Sequence, residues 1–340
     1  MFSSRQLTGF VAALIVLAGT GCQAPDPVEP AADRSFDTGQ TEAGVQAMVD
    51  VFTTSLWESF RMLGQGLDLG PVTSKAFWQG SGAHIAAPVL PEEVLGTTYV
   101  YDPDLGKYVP DPEREGAPSN GVRFVLYAVN PLTHEPVVDA EVGYADLTDE
   151  GIEDPTGIAL RLEAVSGSTT FLDYSVALDG SEDHASTSIG GFIRGRSELM
   201  EFQVEVSEAS SPSGQTMDLV FEFAVDEQFA VGLESHVTHL EAGHWEQSDL
   251  RVESGPDTIQ LTVLEDSKAI DATVHVNGDV FATITGPRHD PDVRGAEGRL
   301  LTPEEARVLG DIIRIPAEVH STLEDLQGPV ALLFALAEEV

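Results

Sequence analysis

The stretch AIDATVHVNGDVFATITG, residues 269–286, decides the fold. Ile270, Ala272, Val274 and Val276 alternate with Asp271, Thr273 and His275, which is the two-residue period of a strand with one face buried. Asn277-Gly278 then supplies two residues that tolerate positive φ, the requirement of a type I′ hairpin turn. Val280, Ala282 and Ile284 are expected to continue the apolar face on the return strand. Two antiparallel strands follow from eighteen residues.

The same cadence runs upstream. TTYVYD (97–102) and KYVPD (107–111) flank a turn at Pro103 to Gly106 and predict a small aromatic hairpin. GVRFVLYAVN (121–130) is apolar on both faces and predicts a central strand covered on both sides. Further strands are predicted at 140–147, 157–165, 170–178, 184–193, 199–206, 217–225, 229–240, 249–253 and 258–264. That makes about fourteen, with turns between them and no helical crossovers, so an antiparallel meander from about 97 to 286 is expected and a parallel βαβ fold is disfavoured. Met200, Phe202, Val204 and Val206 oppose Glu201, Gln203 and Glu205. In the next such row, Met217, Leu219, Phe221, Phe223 and Val225 share a face. A sheet this long, dry on one face, is expected to curl into a barrel or half-barrel.

Helices are expected at both ends, which makes the class α+β, mainly β. Between residues 41 and 63 Val45, Met48, Val49, Phe52, Leu56, Phe60 and Leu63 recur every three or four positions, widened by Trp57, and predict one amphipathic helix. Near the carboxyl end Thr302-Pro303-Glu304-Glu305 forms a capping box, with Thr as N-cap, Pro at the first helical position and Glu at the third. The helices expected over 303–339 break before Pro316, resume to Gln327, and give way at Gly328-Pro329 to a last apolar segment, ALLFALAEEV. Nothing between 41 and 340 reads as a linker, so a single domain is expected there.

Composition removes some function classes. Lys and Arg total 17 against 57 Asp and Glu, a formal net charge of −40. Nucleic acid is not an expected partner, because holding a polyanion takes clustered basic residues. A polybasic attraction to anionic lipid headgroups is absent for the same reason.

At the amino terminus Arg5 precedes an apolar run from Phe10 to Ala18, too short for the roughly 20 residues of a membrane-spanning helix and suited to a secretory signal. Leu17-Ala18-Gly19-Thr20-Gly21-Cys22 follows. This resembles a bacterial lipoprotein signal peptide, with Gly21 and Thr20 before the acylated cysteine and Gly19 standing where Leu is usual. The resemblance covers residues 1–21 and implies lipidation of Cys22. Gln23, rather than an inner-membrane-retaining Asp, implies an outer-membrane destination, the body facing periplasm or cell surface. Cys22 is the only cysteine, so it cannot close an internal disulfide. Acyl chains, each CH₂ adding roughly 0.8 kcal/mol, would hold the protein on the membrane. Residues 23–40, rich in Pro, Asp and Ala, read as an extended tether.

No motif specifies a reaction. His236, His239, Glu241 and His244 are the candidate metal ligands, but His236 and His239 sit an odd number apart on a predicted strand and so face opposite ways. Asp102-Pro103-Asp104 and the acids between Asp149 and Asp154 lack the spacing of a calcium loop. Ser181 to His184 are too close together for a catalytic triad, and Gly80-Ser81-Gly82 is not a nucleophile elbow. No cofactor is expected, and an enzyme is not the expected class. In strand cadence and terminal helices the chain resembles the unclosed-barrel lipoprotein carriers of the bacterial periplasm. The resemblance implies a lipid or other hydrophobic ligand on the apolar face of Met217, Leu219, Phe221, Phe223, Ile270, Ala272, Val274, Ala282 and Ile284. The alternative is a structural or interaction lipoprotein whose interior is filled and whose exterior meets an envelope partner.

Overall fold

Asn277 and Gly278 take φ of 52° and 88°, and the expected hairpin forms around them. It belongs to a computed structural model that describes residues 36–64, 90, 92–151, 157–181, 183–211, 214–225, 229–240, 243–266, 268–287 and 290–338. The signal peptide, Cys22, the tether before Phe36, Gly80 to Gly82, Glu182 and Glu241 lie outside the described residues. The return strand departs from expectation in one place. A bulge after Val274 pairs His275 with Val280, so Phe281 is buried and Val280 is exposed.

The chain is mainly β. Its strands are β1 (Thr97–Asp102), β2 (Lys107–Pro110), β3 (Gly121–Val129), β4 (Pro136–Asp149), β5 (Gly157–Ser166), β6 (Thr169–Gly180), β7 (His184–Arg194), β8 (Leu199–Ser211), β9 (Gly214–Val225), β10 (Phe229–Leu240), β11 (Gly243–Ser254), β12 (Asp257–Asp266), β13 (Ala269–Val276), β14 (Asp279–Pro287) and β15 (Asp292–Gly295). Their order is that of the sequence from β15 down to β3, followed by β1 and then β2. The meander is antiparallel except where β1 lies parallel to β3, which makes the sheet mixed. The two ends of the order, β15 and β2, are not paired with each other, so the sheet is not a closed barrel. Both end strands have four residues, and β2 stops at Pro110, two ways of blunting an edge.

The chain divides into two compact units, Met1–Gln46 with Ser210–His320 and Ala47–Ala209 with Ser321–Val340. Neither is continuous in sequence, which is why no linker shows. Among the described residues three α-helices complete them: α1 (Thr38–Phe52), α2 (Ser55–Arg61) and α3 (Pro303–Glu338).

The expected helix over 41–63 is interrupted. Thr54 leaves the helical region, and its hydroxyl accepts the Trp57 N–H at 3.1 Å, capping α2 anew. The break resets the buried face, so Trp57, Phe60 and Leu63 are inside and Leu56 is half-buried. In the unit that begins at Ala47, the Phe60 ring meets Tyr174 of β6 edge-on at 6.5 Å, and the Tyr174 hydroxyl donates to the Leu326 carbonyl at 2.5 Å. Gly64 and Gly328 let two backbones touch, since a Cβ on either would sit about 3 Å from the other's Cα. Beside them Arg61 Nε lies 2.7 Å from Asp325 Oδ2. Burial still pushes the Asp325 carboxyl up to about 6, against the pull of Arg61 and with Glu324 adding to it. β3 is buried on both faces, as its sequence requires.

In the other unit, Thr302 and Glu305 form the expected reciprocal cap, the Glu305 N–H donating to the Thr302 hydroxyl and the Thr302 N–H to the Glu305 carboxylate. Burial raises the Glu305 pKa, but the hydrogen bonds from Arg299 and Thr302 outweigh it and leave the group below the usual range. α3 then runs through Pro316 and Pro329 without the expected break. A proline inside a helix costs about 3 kcal/mol. Burying one Ile, Leu or Val side chain contributes roughly 1.5–3 kcal/mol. Ile312, Ile315 and Val319 are all buried around Pro316, so burial decides. α1 begins in this unit, and its Gly44 stands against the Phe229 ring of β10. Phe36 meets Phe281 edge-on, and Arg307 pairs with Glu42.

Candidate functional site

In the unit containing β9–β15, inward positions are odd on β9, β10 and β12 and even on β11. Seven of the nine residues expected to line a ligand site are sealed from solvent. Phe221, Phe223, Ile270, Ala272, Val274, Ala282 and Ile284 are all at 5 % exposure or less. Met217 and Leu219, nearer the Gly214 end of β9, are half-buried. The inward face is thus closed except at the Gly214 end of β9 and the adjoining end of β10 and β11, while Ile270 and Ala272, level with Met217 and Leu219 in the ladder, stay sealed.

At the open end it becomes polar. His239, second to last in β10, stands directly opposite His244, second in β11. Their Nδ1 atoms are 3.2 Å apart and their ring centroids 4.5 Å apart. His244 Nε2 lies 3.7 Å from Glu246 Oε2. The other Glu246 oxygen accepts the hydroxyls of Ser235 at 3.3 Å and Ser248 at 3.0 Å. Across the next ladder Glu246 faces the buried Glu265 of β12. Burial, with the neighbouring His244, holds His239 below the ordinary histidine range, against the opposing pull of Glu246.

The four candidate metal ligands therefore separate. His239 and His244 are brought together. His236 faces the other way and engages Asp218 and Thr238 on the outer surface. Glu241 lies outside the described residues. Among the described residues no group of three or more His, Cys, Asp or Glu side chains is placed to hold a metal ion. The Ser235 hydroxyl is directed at Glu246, the Ser248 hydroxyl lies 3.0 Å from both Glu246 Oε1 and Ser235 Oγ, and neither is hydrogen-bonded to an imidazole.

Glu246 and Ser248 escaped the sequence reading because the strand there was expected to start at Asp249. β11 begins at Gly243, and its first inward residues are His244, Glu246 and Ser248. The alternation with Trp245, Gln247 and Asp249 was available as a signal, but it lacked apolar residues to mark it.

No protein-family model matches the chain, no curated protein matches it, and no solved structure matches it.

Proposed function

We propose that this is an exported, non-enzymatic lipoprotein, held at the outer membrane through acylated Cys22, whose filled β body serves in interaction with envelope components rather than in carrying a ligand. The sealing of Phe221, Phe223, Ile270, Ala272, Val274, Ala282 and Ile284 carries this reading. A ligand-sized void beside those side chains would leave them accessible surface, and they have almost none. The anchor rests on the lipobox-like residues before Cys22, and no described helix is long and apolar enough to cross a membrane. The interaction surface is the acidic exterior, whose partner would be basic or would bring cations. As part of the same proposal, each unit's strands curl over its helical segments in the manner of a half-barrel.

The half-buried Met217 and Leu219 favour a second reading, a hydrophobic ligand entering only at the Gly214 end of β9. Titrating the full-length protein with a fluorescent fatty acid separates the two. No saturable binding is expected. Saturable binding lost in Met217→Arg would establish the second reading and overturn the first.

A further inference from the structure

We propose that His239 and His244 form a two-imidazole site for a borderline divalent transition-metal ion, copper(II), nickel(II) or zinc(II), with water completing its coordination. Both residues are strand residues in directly opposed register, so the backbone ladder fixes their spacing. Imidazole nitrogens bind such ions at about 2.0–2.1 Å, and two bonds of that length at roughly 100° place the nitrogens about 3.2 Å apart. The separation of the two Nδ1 atoms is 3.2 Å. In the metal-free pair one Nδ1 carries a hydrogen directed at the other. On binding, that hydrogen moves to Nε2 of its own ring, both Nδ1 lone pairs meet the ion, and both rings stay neutral.

The surroundings favour this. Glu246 Oε2, 3.7 Å from His244 Nε2, favours the proton on that nitrogen and leaves Nδ1 free to ligate. Glu246 and Glu265 are cross-strand neighbours, so two carboxyl groups stand one rung away. The pair is half-buried, so an ion reaches it from water. With only two protein ligands, the affinity order follows the general preference of nitrogen sites, copper(II) first.

The test is copper(II) titration of the full-length, tag-free protein, with excess magnesium present to occupy the acidic coat. One equivalent is expected to give an electron paramagnetic resonance signal split by two nitrogens and to be displaced by zinc(II) only at large excess. His239→Gln and His244→Gln are each expected to weaken binding at least tenfold while the far-ultraviolet circular dichroism stays unchanged. His236→Gln, on the opposite face, is expected to leave binding unaltered. Absence of a nitrogen-coupled signal, its persistence in both the His239 and His244 variants, or its loss in the His236 variant would overturn the assignment.

Discussion

Gly44 lies inside α1, where replacing glycine by alanine ordinarily stabilises a helix by roughly 0.5–1 kcal/mol. Its surroundings reverse that sign. A Cβ there would fall 2.1 Å from Phe229 Cδ2, 2.5 Å from Cγ and 2.7 Å from Cε2. Non-bonded carbons settle at about 3.5–4.0 Å, so the ring would have to move by more than about 1 Å. Phe229 is 4 % exposed and packs near Phe223, with centroids 6.4 Å apart, and has little room to yield. Overpacking of this kind costs about 1–3 kcal/mol, so Gly44→Ala should destabilise by up to about 2.5 kcal/mol after the helical gain is subtracted. Gly310, in α3, is the control, because a Cβ there meets nothing within 4 Å. Gly310→Ala should stabilise by about 0.5–1 kcal/mol. Urea midpoints of the two variants, compared with the parent at unchanged m-value, read the difference in sign. If Gly44→Ala stabilised as much as Gly310→Ala, α1 would not be seated on Phe229.

Three further outcomes follow. Tyr174→Phe keeps the ring but removes the buried donor to Leu326, and should lower unfolding stability by about 1–2 kcal/mol; no change in denaturation midpoint would contradict that contact. Asp325 has a folded pKa raised from 3.8 to about 6, so the folded chain binds its proton more tightly. Its contribution is therefore most favourable below about pH 4, falls as the pH rises to about 6, and is fully unfavourable above that, by at most about 3 kcal/mol. Asp325→Asn should thus gain stability relative to the parent at about pH 7.5 and less at about pH 4.5. An equal effect at both pH values would rule the shift out. Cys22→Ser should abolish incorporation of labelled palmitate and move the protein from the membrane to the soluble fraction, whereas retained labelling would exclude Cys22 as the acylation site.

Much of the strand order was legible because one face is apolar and the period is two. β1, bounded by turn residues, and β10, which alternates strongly, span the expected residues. Asn277-Gly278 and the Thr302–Glu305 cap were legible because each names a local backbone geometry. What escaped was set by distant partners. The parallel seating of β1 on β3 leaves no mark in a hairpin cadence. The break at Thr54 was hidden by an apolar stripe that runs on past it. The prolines of α3 signalled breaks that burial overrides. In the candidate site, both histidines were visible, but their face-to-face register depends on β11 starting at Gly243, and polar inward residues concealed that start.

Native mass spectrometry of the full-length protein, extracted gently from envelopes and measured before and after organic extraction, tests the filled-core reading most directly. The expected mass is that of the acylated chain alone, unchanged by extraction and unchanged on mixing with envelope lipids. A stoichiometric lipid that is present before extraction and lost after it would contradict the filled core and make the protein a carrier.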